Sequence, residues 1–428
     1  MKPAARAAVL RLGTEARLAR GLARDLLAAR RARHAVARLL AARAPLPTET
    51  YEIGVYFADA DVNLYQVRQW YRPLQELAAI HPVVLLTRNA SAAEILLGES
   101  PVPVAYVRSV ADLETTIAEQ PLRIVLYVNQ NARNFQMMRY GRRWHVFVNH
   151  GESDKMYMTT NQFKAYDYSL IAGDAALARL HRVLWDYDFD KRALAIGRPQ
   201  ADHVHGRTPF EPDERQVVLY APTWEGDRPA AGYGSLRSHG IALTRALLAD
   251  DRYRLVYRPH PRSGAVDPDY GAADREIVAM IAAANAADPR AEHVHDTSAK
   301  LGWQLSADLA VVDVSAMVYD RLATGRPLLV TRPTSAAAEV DESGYLGDAE
   351  WLQAADASAI VDRIAVAEHD EASVQRLERW VGHYFGDTAP GAATRRFHEA
   401  IEHLLREWEH HAALHRDDPV VDERDPEA

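Results

Sequence analysis

The chain has 428 residues, 48% of them hydrophobic, which is enough for two ordinary domains with flanking segments. It contains no cysteine, and this excludes a disulfide framework and any thiolate metal centre. No run of about 18 apolar residues occurs, so no spanning helix is expected, and without the apolar core of a secretory signal the chain is placed in the cytoplasm.

The net charge of -9 is unevenly distributed. Residues 1–44 hold eleven Lys and Arg against Glu15 and Asp25, a local +9, which leaves -18 for the remainder. Only five of the fifty basic residues are lysines, so arginine is the default cation and single arginines say little. Lys155 is correspondingly more informative.

Residues 4–43 read as a helix. Leu18, Leu22, Leu26, Val36 and Leu40 share one face and Arg17, Arg20, Arg24, Arg31 and Arg38 lie roughly opposite, with Arg11 and Arg33 interrupting the apolar side. Ala44-Pro45-Leu46-Pro47 ends it. Two roles fit: peripheral attachment to an anionic inner membrane face, or packing on the chain's own first domain with a solvated arginine face.

From residue 51 short apolar runs alternate with helical patterns. Tyr51–Phe57, Val83–Thr87, Val102–Val107, Ile124–Val128, Val146–Val148, Tyr168–Ala172 and Ala193–Ile196 read as strands. Val67–Ala79 reads as a helix that Pro73 must start or kink. Gly206–Pro212 reads as a linker. A second series follows at Val217–Tyr220, Leu255–Tyr257, His293–His295, Leu309–Val312 and Leu328–Thr331. Residues 373–408 read as helical, and the acidic end, Arg416–Ala428, as frayed. The expected fold is α/β: two Rossmann-type domains of GT-B-like arrangement facing a cleft, plus the basic N-terminal helix. The expected divisions are 1–48 for the helix and linker, 49–205 and 206–372 for the two domains, and 373–428 for the C-terminal helices and tail.

Four segments lie just beyond predicted strands, where an open parallel sheet carries its ligand residues. Asn149-His150-Gly151, continuing to Lys155, follows Val146–Val148. A histidine there can act as a general base near pH 7, and the glycine lets a substrate approach the backbone. Tyr220–Trp224 ends another strand, and Thr223 can hydrogen-bond a phosphate. Arg258-Pro259-His260-Pro261-Arg262 is stiffened by its two prolines and suits a diphosphate. Asp313-Val314-Ser315-Ala316 opens a helix, whose N-terminal end attracts an anion or is simply capped by Asp313 or Ser315. Asp320 lies one turn further, and either reaches the ligand or faces solvent. His203/His205 and His293/His295 have a metal-like spacing that alternation along extended chain explains equally, and no metal or cofactor is assigned. There is no Walker A sequence, no Gly-x-Gly-x-x-Gly after a strand and no nucleophile-elbow serine.

Taken together, the segments resemble the CDP-glycerol glycerophosphotransferase family of teichoic acid synthesis, the glycerol and ribitol phosphate transferases. The matching pieces are His150-Gly151 with Lys155, Gly197-Arg198-Pro199-Gln200-Ala201-Asp202, Tyr220–Trp224, Arg258–Pro261 and Asp313–Ser315, in order over about residues 145–335. The chain departs from the family at Asn149, where a Trp is usual, at Glu152-Ser153, at Gln200 and at Val314 and Ala316. The resemblance implies transfer of glycerol phosphate, or a related alditol phosphate, from a CDP-alditol to a hydroxyl of a lipid-linked or polymeric cell-wall glycan, releasing CMP. It implies His150 and His260 as catalytic residues. Gly151, Lys155, Thr223, Arg258, Arg262, Asp313, Ser315 and Asp320 would bind substrate; the basic helix adds an anionic membrane surface as a partner, and no nucleic acid is assigned. A GT-B nucleotide-sugar glycosyltransferase or epimerase and a non-catalytic membrane-associated scaffold remain as alternatives.

Overall fold

The computed structural model describes residues 24, 26–152, 160–202, 207–298 and 301–419. Two parallel sheets with interleaved helices make up the chain. It divides into two compact units: Met1–His150, Lys164–Ser169 and Ile401–Ala428 form one, and Gly151–Phe163 with Leu170–Ala400 the other.

The first sheet consists of β1 (Ile53–Phe57), β2 (Val83–Thr87), β3 (Val104–Tyr106), β4 (Ile124–Tyr127), β5 (Trp144–Phe147), β6 (Tyr168–Ile171) and β7 (Ala193–Ala195). Its order is β3-β2-β1-β4-β5-β6-β7. β1 and β2 are buried throughout, the near-continuous apolar pattern of a strand covered by helices on both faces. The order therefore reverses between β1 and β4, the crevice where doubly wound sheets take their ligands.

The second sheet repeats this plan with β8 (Gln216–Ala221), β9 (Tyr253–Tyr257), β10 (Val294–His295), β11 (Leu309–Val312), β12 (Leu328–Thr331) and β13 (Trp351–Leu352), in the order β10-β9-β8-β11-β12-β13. Alternate residues feed opposite faces, as the strand period of two requires. Val218, Tyr220, Leu255, Tyr257, Leu309 and Val311 join one core, with the helices Ile241–Leu248 and Pro268–Ala287. Leu219, Ala221, Val256, Ala310 and Val312 join the other, with Val318, Leu322, Tyr384 and Phe385. Here the switch point lies between β8 and β11.

Two expectations change in detail, and one strand is added. The helix expected over Val67–Ala79 is two helices, Leu64–Arg68 and Tyr71–Ala78, and Pro73 sits in the first turn of the second, where its missing N–H costs nothing. The C-terminal helix is also two, Glu371–Phe385 and Ala392–Leu414, because Gly386 adopts φ 66° and ends the first. The two-residue strand β13 carries too little pattern to be read from sequence.

The basic N-terminal segment is helical over 26–41. Ala32 and Val36 are buried, and the Arg43 guanidinium donates to the carbonyl of Leu97 at 2.5 Å, so this part packs on the first unit. Leu26 and Leu27 are exposed, as are Arg24, Arg30 and Arg31. No described helix is long and apolar enough to cross a membrane.

Candidate functional site

The predicted residues of the second unit converge on the carboxyl ends of β8, β9 and β11. At the switch point stands Asp313, fully buried, just beyond β11. One of its oxygens accepts the backbone N–H of Thr223 at 2.7 Å and of Ser235 at 3.0 Å; the other accepts the Thr331 hydroxyl at 2.5 Å. Asp313 thus ties the segment after β8 to β11 and β12. Burial pushes its carboxyl up to about 6, opposed by the bonds from Ser235, Thr331 and Thr223. Its oxygens serve the fold, and any ligand meets the loops that it fixes.

Thr223 and Trp224 leave β8 towards a neighbour that the sequence reading did not single out. Glu225 accepts three backbone N–H groups of the loop after β9: Gly264 at 3.0 Å, Val266 at 2.7 Å and Asp267 at 3.0 Å. Partial burial pushes this carboxyl up, but the N–H groups outweigh it and hold it below its ordinary value. The Tyr220–Trp224 and Arg258–Arg262 segments are thereby one rigid assembly. Within it the Arg262 guanidinium lies 3.6 Å over the Trp224 ring, and the His260 ring stacks beside Trp224 at 6.3 Å. His260 Nδ1 accepts the Arg262 N–H at 3.1 Å, which puts the ring proton on Nε2. Burial, then the charge of Arg262, lowers the His260 pKa, so the neutral ring is favoured.

Arg258 follows β9 directly. Its guanidinium bonds the Asp296 carboxylate, and donates to the Ser298 hydroxyl at 3.0 Å. Gln304, itself buried, donates to Asp296 at 2.6 Å. Burial pushes Asp296 up, yet the bonds from Ser298 and Arg258 leave its pKa lowered. Asp296 therefore balances one of the two arginines of the loop, and Arg262 remains the exposed one.

Ser315 caps the helix Ala316–Leu322, its hydroxyl accepting the Met317 N–H at 3.3 Å. Asp320, on that helix, pairs with Arg198, both side chains largely buried. Its partner comes from the Gly197-Arg198-Pro199 segment. There Gly197 adopts φ 73°, and a Cβ would lie 3.0 Å from the Phe385 carbonyl oxygen, so only glycine fits. Nothing so tight surrounds Gly151, whose nearest neighbour for a Cβ is an Arg198 nitrogen at 3.9 Å. The Glu152 side chain pairs with Arg179 inside the second unit.

His150 belongs to the first unit, beyond β5. Its Nδ1 donates to the Val128 carbonyl at 3.0 Å, so the lone pair resides on Nε2. Asn149 before it adopts φ 55°, a left-handed conformation that asparagine tolerates better than most residues, and its carbonyl accepts the Trp70 indole N–H at 2.5 Å. Lys155, His203 and His205 lie outside the described residues. His293 is buried, accepts the Leu255 N–H at 3.1 Å and has its pKa lowered to about 4 by burial, while His295 is exposed and stacks on Tyr257. Their spacing is strand alternation. Among the described residues no cluster of three metal-ligating side chains occurs.

No family model matches the sequence, and no curated protein does. Solved structures do match in fold. The wall teichoic acid polymerase TagF aligns with a TM-score of 0.51 at 14% identity, over 84% of this chain and 90% of that one. The UDP-GlcNAc 2-epimerase from Neisseria meningitidis, bound to UDP-GlcNAc, aligns with 0.54 at 12% identity, over 83% of this chain and 100% of that one. The putative UDP-N-acetylglucosamine 2-epimerase from Listeria monocytogenes gives 0.54 at 14%, over 84% and 97%. The chain shares their two-sheet α/β fold.

The residues that sequence reasoning missed, Glu225, Ser235, Asp296, Gln304 and Arg198, work through tertiary bonds to the motif residues. Only Arg198 and Glu225 carried a signal, by standing in or beside a motif.

Proposed function

We propose that the protein transfers an alditol phosphate, glycerol phosphate foremost, from its CDP derivative to a hydroxyl of a lipid-linked or polymeric glycan. The acceptor oxygen attacks the phosphorus that bears the alditol, the bond from that phosphorus to the bridging oxygen breaks, and CMP leaves. Nε2 of His150 takes the acceptor proton, a role worth about 10²–10⁴ in rate. His260, with Nε2–H as donor, and Arg262 face the donor diphosphate. Arg258, Thr223, Ser315 and Asp313 shape that site, and Asp320 holds its helix through Arg198.

The observation that carries this reading is the joining of the Tyr220–Trp224 and Arg258–Arg262 motifs by Glu225 and Asp313 at one switch point. TagF has been solved with CDPG, and this chain shares its fold, which supports a cytidine diphosphate donor. Likeness to the epimerases favours a second reading, a UDP-sugar enzyme on the same fold. Thermal shift separates them, because a ligand that binds only the folded state stabilises it by mass action. CMP and CDP-glycerol should raise the melting temperature more than UDP or UDP-GlcNAc. The reverse ranking would replace the first reading by the second.

A further inference from the structure

The first sheet carries a polar cluster at its own switch point, and of its members only His150 belongs to a sequence motif. β1, β4 and β5 are neighbours, and one row pairs Tyr56 with Tyr127 and Tyr127 with Phe147. Asp59 lies in the loop that follows β1 and His150 in the loop that follows β5, and β4 stands between these two strands.

Hydrogen bonds keep both residues on the end of β4. Asn129, only 4% exposed, donates Nδ2 to Asp59 at 2.8 Å and to Gln66 at 2.7 Å. His150 donates Nδ1 to Val128, one residue earlier, at 3.0 Å. Gln66 donates to the Tyr65 hydroxyl at 3.3 Å, and the half-exposed Tyr65 ring meets the His150 ring edge-on, with centroids 5.7 Å apart. Asp59, Asn129, Gln66, Tyr65 and His150 are thus one connected set. Its two outer members, Asp59 and His150, are each half-buried. A carboxylate accepts about four hydrogen bonds, and Asn129 takes one of those at Asp59.

We propose that Asp59 binds a hydroxyl of the acceptor, beside the hydroxyl that His150 deprotonates, which makes this end of the first sheet a polyol site. The ligand class is a sugar or alditol with two hydroxyls separated by a few bonds. One hydroxyl donates to the Asp59 carboxylate and the other to Nε2 of His150, with the aromatic edge of Tyr65 against the carbon chain. Asp59 then selects polyhydroxylated acceptors over simple alcohols. The reacting role of His150 rests on the transferase reading; the polyol site itself does not need a nucleotide.

Diethyl pyrocarbonate acylates an imidazole through its lone pair, so the modification of His150, mapped by mass spectrometry on the full chain, reports occupancy of this site. Ribitol and glycerol are the probes and propan-1-ol at equal concentration the control. Ribitol should protect His150 in the wild type and propan-1-ol should not. Asp59→Asn keeps the bond with Asn129 through its amide oxygen but turns an NH₂ group to the ligand, and protection should be lost in it. Asp59→Ala, with melting curves for both variants, should lose protection too. Equal protection in wild type and variants, or none in the wild type, would overturn the inference. CMP release from CDP-glycerol is read separately. Release without Asp59-dependent protection sinks the polyol site alone; Asp59-dependent protection without release sinks the transferase reading alone.

Discussion

Asp313 holds the backbone of Thr223 at 2.7 Å, and through it the carboxyl end of β11 fixes the segment that leaves β8. A buried aspartate in a predicted phosphate motif is thereby a framework residue.

Asp313→Ala leaves the N–H groups of Thr223 and Ser235 without their buried acceptor, each worth about 1–3 kcal/mol. A large loss of stability in denaturant titration is expected. Asp313→Asn can still accept both N–H groups and donate to Thr331, and should lose much less. The pH dependence has a definite sign. The Asp313 pKa is raised by burial to about 6 from 3.8, so its contribution is full below the unfolded value and declines as pH rises through about 6. The asparagine variant should lack that decline. A stability profile from pH 4 to 7 that is the same in both proteins would contradict this.

Glu225, next to the Tyr220–Trp224 motif, accepts three backbone N–H groups of the loop that continues the Arg258–Arg262 motif. Its lowered pKa means that the tie is present above the ordinary glutamate value and lost as pH falls through the lowered one. Glu225→Ala should loosen the loop at 260–267 and weaken donor binding at least about tenfold by loss of preorganisation. Hydrogen exchange of the Gly264, Val266 and Asp267 amides tests it. Unchanged protection of these amides would exclude the tie.

Arg321, with no exposed surface, donates to the carbonyls of Leu305, Ala307, Asp308 and Pro327. Burial, then the charge of Arg326, lowers its pKa to about 9. It anchors the helix bearing Asp320 to the ends of β11 and β12. Arg321→Met matches its bulk but takes the buried donor from the carbonyls of Leu305, Ala307 and Asp308, while Pro327 keeps the Ala310 N–H, and several kcal/mol of destabilisation is expected at about 1–3 kcal/mol per group. A melting temperature within two or three degrees of wild type would show that relaxation or water satisfies them.

We propose that the basic helix serves both roles that the sequence left open, packing on the chain and attachment to an anionic membrane. Residues from Ala32 onward are anchored by Val36 and Arg43, whereas Leu26, Leu27 and the arginines at 24, 30 and 31 face outwards. Deleting residues 1–31 should abolish co-sedimentation with anionic vesicles and leave the melting curve unchanged. Deleting 1–44 should also destabilise the protein. Binding should weaken with salt, since the Debye length falls from about 10 Å at 0.1 M to about 3 Å at 1 M. Salt-insensitive binding that survives both deletions would remove the membrane role.

Much of this fold was legible because buried parallel strands are apolar throughout. The runs at Val83–Thr87 and Leu309–Val312 coincide with β2 and β11. The Pro73 and Gly386 breaks were harder, because a proline fits a first helical turn and a glycine does not announce its φ. The motif residues were found because they cluster in sequence. Asp59, Asn129 and Glu225 were not, since their importance comes from strand order and from partners 40 to 70 residues away. Asp320 and Asp313 were visible as residues, but only the Arg198 pair and the three bonds at Asp313 show how each is engaged.

The most direct test is nucleotide release from CDP-glycerol with a soluble glycan primer, followed by chromatography of CMP and by phosphorus incorporation into the primer. The wild-type protein should release CMP in step with incorporated glycerol phosphate. His150→Ala should reduce both by about 10²–10⁴ with little change in CDP-glycerol affinity. Near-normal turnover in His150→Ala, or no CMP release by the wild type while a UDP-sugar is consumed, would contradict the account.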